Sequence, residues 1–110
     1  MKRKFDLSTL KSFAKKEHQR LQKYYNLSDR KQLNLPITVK IMEELGELCN
    51  EVLANSGLQR KEKLEKMQKD NLAEEFADVI LTACILAENM GVDIEKGVKK
   101  KMEKIEKRYK

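Results

Sequence analysis

The stretch from Phe76 to Ala87 constrains the fold most. It reads Phe-Ala-Asp-Val-Ile-Leu-Thr-Ala-Cys-Ile-Leu-Ala, and only Asp78 and Thr82 are polar. Apolar residues on every side of a helix predict a segment buried nearly all round. An ionised carboxylate in that setting is costly unless something pairs with it. Asp78 therefore meets a Lys, caps a neighbouring loop, or sits beside a cation. Glu75 lies one turn earlier and shares its face at i, i+3. Two acids side by side repel unless a cation lies between them.

A single domain, residues 1–110, is the natural reading of a chain of this length. Lys, Glu and Leu dominate and Pro occurs once, which favours helices. No apolar run approaches the roughly 20 residues of a membrane span. The start, Met-Lys-Arg-Lys-Phe-Asp, is basic but has no apolar stretch behind it, so no secretory signal is expected. Cys49 and Cys84 form no CxxC pair and lie inside helical patterns. They are expected to be buried free thiols of a cytoplasmic protein. His18, the sole histidine, reads as a satisfied, half-buried side chain. The net charge is +6, with 24 Lys and Arg against 18 Asp and Glu. The surplus gathers at the two ends, around an acid-rich centre. A basic surplus can attract nucleic acid, anionic lipid or phosphorylated small molecules.

Four helices are predicted, giving an all-α, four-helix-bundle-like chain. The first spans about Leu7 to Tyr25 with Asp6 as N-cap. Leu7, Leu10, Phe13, Ala14, Leu21 and Tyr24 follow its helical period. Asn26 to Leu35 reads as a connection. Pro36 suits the first turn of a second helix running to about Asn55, with Gly57 near its end. Gln59 to Lys69 is highly charged, either a short helix or a loosely packed extension. The third helix spans about Asn71 to Met90 and ends at Gly91; Asp93 caps the fourth. The fourth carries Ile94, Val98, Met102, Ile105 and Tyr109 on one stripe among many lysines.

On the second helix Ile37, Ile41, Leu45, Leu48 and Val52 form the apolar stripe. At ~100° per residue, Glu44 lies about 60° from the stripe's centre, Glu51 about 80° and Glu47 about 120°. Glu43 points nearly opposite. Glu44, Glu47 and Glu51 thus form an acidic edge beside the core. Antiparallel packing of the second and third helices would set Glu44 and Glu47 against Glu75 and Asp78. Four clustered carboxylates need compensation. Oxygen-only ligands select hard cations, magnesium, manganese or calcium. Di-iron bundles use Glu-x-x-His, which this chain lacks. Lys40, one turn before Glu44, reads as an ordinary surface pair. Asn71 shares the face of Glu75 and Asp78, as a helix cap or a donor behind the acids.

Glu43-Glu44-Leu-Gly-Glu47 followed by Glu75-Phe-Ala-Asp78 resembles the EExxE…ExxD signature of MazG-like nucleotide pyrophosphohydrolases, with 27 residues between the halves. The likeness extends from about Thr38 to Arg108. It implies an all-α enzyme that hydrolyses a nucleoside triphosphate, ribo or deoxy, to the monophosphate and pyrophosphate, in nucleotide-pool house-cleaning. It implies Mg2+, with Mn2+ as substitute, on Glu44, Glu47, Glu75 and Asp78. Glu47, at the edge of the stripe, is the candidate proton acceptor; Glu43 is assigned an outer role. Lys101, Lys104 and Arg108 share a face at i, i+3, i+7 and are candidates for substrate phosphate. Many relatives carry an Asn where Ile105 falls, which departs from the pattern on that helix. Phosphoribosyl-ATP and dUTP are substrates of neighbouring families that four acids do not separate.

Two other classes compete. A basic helical nucleic-acid-binding module would use the charged ends, but the acidic centre and the lack of a helix-turn-helix argue against it. A regulatory bundle without catalysis leaves Asp78 in its apolar run unexplained. Self-association is expected, since Leu81, Cys84 and Ile85 lie off the third helix's principal stripe and need a second surface. The resemblance points to a homodimer or homotetramer.

Overall fold

The computed structural model describes residues 4–26, 29–57 and 71–109, with only the backbone of Arg30. The predicted segment 59–69 lies outside the described residues. The elements are α1 (Leu7–Tyr25), a 3-10 turn (Arg30–Leu33), α2 (Asn34–Asn55), α3 (Asn71–Asn89) and α4 (Ile94–Lys107). The described residues contain helices and no strand.

Short polar residues set most of the boundaries. Asp6 accepts from Thr9 N–H, and the Thr9 hydroxyl accepts from Asp6 N–H, both at 3.2 Å. This capping box pairs two donors that α1 leaves open. Asn26 closes α1 in the left-handed region at φ 52°. Asp29 caps the 3-10 turn by accepting from Lys31 N–H at 2.9 Å. That turn falls inside the predicted connection and delivers Leu33, only 1% exposed, into the core. The connection therefore contributes a core residue, which its polar composition concealed.

Gly91, at φ 68°, ends α3. Val92 N–H reaches Ala87 carbonyl oxygen at 2.8 Å and Gly91 N–H reaches that of Glu88 at 3.2 Å, a Schellman closure. Asp93 then caps α4 through Lys96 N–H at 3.2 Å. Lys11 of α1 reaches Asp93 at 3.2 Å and Glu95 at 3.7 Å, which ties the start of α4 to α1.

Helix α3 packs most extensively on α2 and next on α1, and also touches α4. Ala14, Leu33, Ile37, Leu48, Ala54 and Cys84 form the core. One buried polar chain crosses it. His18 Nε2 donates to Asn89 Oδ1 at 2.7 Å, and Asn89 Nδ2 donates to Asn34 Oδ1 at 2.5 Å. His18 is thus fully buried, not half-buried, because Asn89 provides its partner.

Three burial expectations are corrected. Within one chain α3 buries only Cys84 and Asn89, while Phe76 and Ile80 stay 48% and 49% exposed. Cys84 faces its own chain's core, so it is not a residue in need of a second surface. Cys49 is exposed, on the side of α2 away from that core.

Candidate metal centre

Helices α2 and α3 run antiparallel in a register that can be followed pair by pair. Asn34 bonds Asn89 at one end. Further along, Glu44 interacts with Asp78, and Glu47 with Glu75. The two i, i+3 pairs expected from sequence therefore do face one another. One carboxylate oxygen each from Glu44, Glu75 and Asp78 lies within 4.8 Å of the others. Glu47 touches Glu75 from the exposed side and falls outside that tight group.

Asp78 is exposed, which corrects its placement as a buried acid. It sits at the open edge of the α2–α3 groove, and the apolar residues around it in sequence point to other sides of the helix. Glu44 is the sealed member, 7% exposed. Lys40 Nζ reaches its Oε1 at 3.1 Å and also approaches Glu43 at 3.7 Å. Lys40 thus serves a buried acid, beyond an ordinary surface pair. Glu43 is exposed and makes no part of the triad, in keeping with its outward angle.

The electrostatics of the cluster are unbalanced. Partial burial pushes the Glu75 carboxyl above its ordinary range, and the charges of Glu47, Asp78 and Glu44 push it further. Asp78 is raised by burial, by Glu44 and by Glu74, against a smaller opposing pull from Lys40. The Lys40 ammonium is raised in turn, chiefly by its hydrogen bond to Glu44. One lysine does not satisfy three acids. Among the described residues, Glu44 Oε2 and Glu75 Oε2 are sealed from solvent and have no hydrogen-bond partner. A divalent cation is the compensation that such oxygen donors fit.

Glu51 behaves differently from its sequence reading. It is 7% exposed, and its Oε2 is also sealed and, among the described residues, unpartnered. Its position about 80° from the stripe hinted at this, but the motif stops at Glu47. Asn71 is the first residue of α3, on the acids' helix and one turn before Glu75. Lys101 and Lys104 lie on α4, with Arg108 at its C-cap; all three are exposed. Among the described residues they form no ion pair with the acids, and α4 meets chiefly α1 and α3. Thr82, the other polar residue of the apolar run, donates to Asp78 carbonyl oxygen at 2.6 Å. No helix among the described residues is long and apolar enough to cross a membrane.

A family model described as "MazG-like family" matches residues 36–110, which include both acid pairs. The chain is 42% identical over 73 residues to the uncharacterised protein YvdC of Bacillus subtilis (strain 168), covering 63% of this chain and 69% of that one. No solved structure matches it.

Proposed function

Because the chain belongs to the MazG-like family, we propose that it is a magnesium-dependent nucleoside triphosphate pyrophosphohydrolase, releasing a nucleoside monophosphate and pyrophosphate. The observation that carries this reading is the triad of Glu44, Glu75 and Asp78, whose donor oxygens lie within 4.8 Å of one another. Two of these residues hold oxygens that are sealed and, among the described residues, unpartnered. When bound, a divalent ion supplies neutralisation of phosphate charge and activation of a water.

The protein's own groups do the rest. Glu44, Glu75 and Asp78 would hold the ion, and Glu47, beside Glu75, would be a fourth ligand. Lys40 fixes the Glu44 carboxylate through the 3.1 Å contact to Oε1, which leaves Oε2 for the ion. Water attacks a phosphorus, a new P–O bond forms, and the bond to the departing pyrophosphate oxygen breaks. Glu47, which is exposed and next to Glu75, takes the proton of that water. Lys101, Lys104 and Arg108 are proposed to meet the leaving phosphates, and Glu43 and Asn71 to support the ligands from behind.

The test is pyrophosphate release from all common ribo- and deoxynucleoside triphosphates, phosphoribosyl-ATP and dUTP included, at saturating magnesium. At least one should turn over. Glu47→Gln should lower the rate by on the order of a hundredfold or more, the range of a lost general base. Glu44→Ala, Glu75→Ala and Asp78→Ala should each remove most activity while the protein stays helical. Glu43→Ala and Glu51→Ala should cost much less. Equal losses for Glu43, Glu51 and the proposed ligands would overturn the assignment.

A further inference from the structure

A cleft of about 330 Å³ opens beside the carboxylates, between α1, the 3-10 turn and the paired helices α2 and α3. That volume is at the low end of the roughly 300–1,000 Å³ of small-molecule sites. Its position follows from the helix register. Lys40 and Thr82 line it, and each lies one turn from an acid of the triad, Lys40 from Glu44 and Thr82 from Asp78. Ile37 and Ile85 line it one turn further on. Measured along the helix axes, these lining positions stand about 6 Å and about 10 Å from the acids. A sugar fills such a span between a base and its first phosphate.

The lining is divided in its chemistry. Leu33, Ile37 and Ile85 make an apolar floor, and Tyr25 stands at the edge with its ring half exposed. A flat heterocycle would lie between that floor and that ring, since aromatic side chains hold bases through their π-faces. Among the described residues, Glu17 is the one acid of the lining. Arg20 Nη1 holds its Oε1 at 2.6 Å, which orients the carboxylate. An ionised carboxylate only accepts hydrogen bonds. It selects a base edge that presents N–H donors.

We infer that this cleft is the base pocket of the site, with Tyr25 packing on the base and Glu17 accepting from its donor edge. The inference rests on the pyrophosphohydrolase reading for its catalytic consequences. Guanine fits Glu17 best, because its ring N–H and exocyclic amino group lie side by side. Cytosine and adenine offer one amino group beside an acceptor. Uracil and thymine fit worst, because their single ring N–H lies between two carbonyl oxygens that a carboxylate repels.

Two measurements separate this inference from the reading beneath it. The first compares kcat and KM for the common nucleoside triphosphates. Tyr25→Ala should raise KM about tenfold at nearly constant kcat, the effect of one lost stacking partner. Glu17→Gln should narrow the preference for guanine over uracil about tenfold, because an amide also donates, the scale of one specific polar contact. Unmoved KM values in both variants, or a wild type that prefers uracil, would overturn the assignment. The second measurement needs no catalysis. Metal-free protein is titrated in EDTA with GMP and with UMP, and amide shifts are followed by NMR. GMP should shift Leu33, Ile37 and Thr82 more than UMP does, and Ile85→Trp, which fills the cleft, should abolish the shifts while the protein stays helical. If no nucleotide is hydrolysed, the enzymatic reading fails, and this titration still decides the cleft. If hydrolysis is seen but GMP leaves the cleft unshifted, the base assignment alone fails.

Discussion

Glu75 and Asp78 are both held above the ordinary carboxyl range, first by partial burial and then by neighbouring acids. A carboxyl whose folded pKa exceeds its unfolded value of about 4 favours the fold when protonated. That contribution is complete below the unfolded value and is lost as pH rises through the folded one. Metal-free protein should therefore lose stability from these two groups as pH climbs from about 4 toward neutrality. Asp6 is shifted down by the Ser8 hydroxyl and the Thr9 N–H, and Asp93 by the Lys96 N–H and by Lys11, so their contributions fade only at lower pH. A divalent ion favours the ionised acids, so its stabilisation should grow with pH and with ion concentration. Thermal melts in EDTA and in magnesium at about pH 5 and about pH 7 measure this directly. Asp78→Asn keeps the shape and removes a charge. It should leave the metal-free melting temperature unchanged or higher and weaken the response to magnesium. A wild type that melts no lower in EDTA than in magnesium at neutral pH would contradict the ion site.

At the scale of elements, the α3–α4 junction is the best-defined joint. Gly91 supplies the left-handed turn, and Asp93 serves both as the cap of α4 and as the partner of Lys11. Asp93→Ala should cost about 1 kcal/mol, the usual worth of an N-cap. Asp93→Asn keeps a capping oxygen and should cost clearly less, since the exposed Lys11 pair is worth little. Urea denaturation of the two variants compares them. Equal destabilisation would mean that the charge pair, not the cap, holds the joint. α4 itself buries no residue, so this junction matters for its position. The placement of Lys101, Lys104 and Arg108 relative to any phosphate depends on it.

For the molecule as a whole, the uncovered apolar surface is the dominant fact. On α2, Leu35, Val39, Met42 and Leu53 are exposed, as is Cys49. They recur at alternating three- and four-residue steps, with the exposed Gly46 filling the gap, which is the seam of a helix pair. Phe76 and Ile80 of α3 are also open. Contiguous apolar surface of this kind marks an interaction site. The expected outcome is a homodimer or homotetramer at micromolar concentration in light scattering. Met42→Lys should shift it toward monomer. A wild-type monomer under those conditions would contradict self-association.

Local chemistry was legible in the sequence wherever a short-range rule decides. Asp6, Gly91 and Asp93 announce their boundaries because capping and left-handed turns depend on neighbours in the chain. Glu44 with Glu47, and Glu75 with Asp78, could be matched from helical spacing alone. The family followed from those same residues. Burial was not legible, because it depends on which helix lies opposite. The apolar run from Phe76 to Ala87 looks enclosed as a sequence, yet one chain leaves Phe76, Ala77 and Ile80 exposed and buries only Cys84. Asp78 comes out at the groove's open edge, and Glu51, an apparently ordinary edge acid, is sealed. Leu33 and the His18–Asn89–Asn34 chain join segments far apart in sequence, so no periodicity within one helix announces them. Spacing along α2 and α3 determined which carboxylates share a face. Only the antiparallel register of those helices decided which of them meet, and set Lys40 and Thr82 in the lining of the neighbouring cleft.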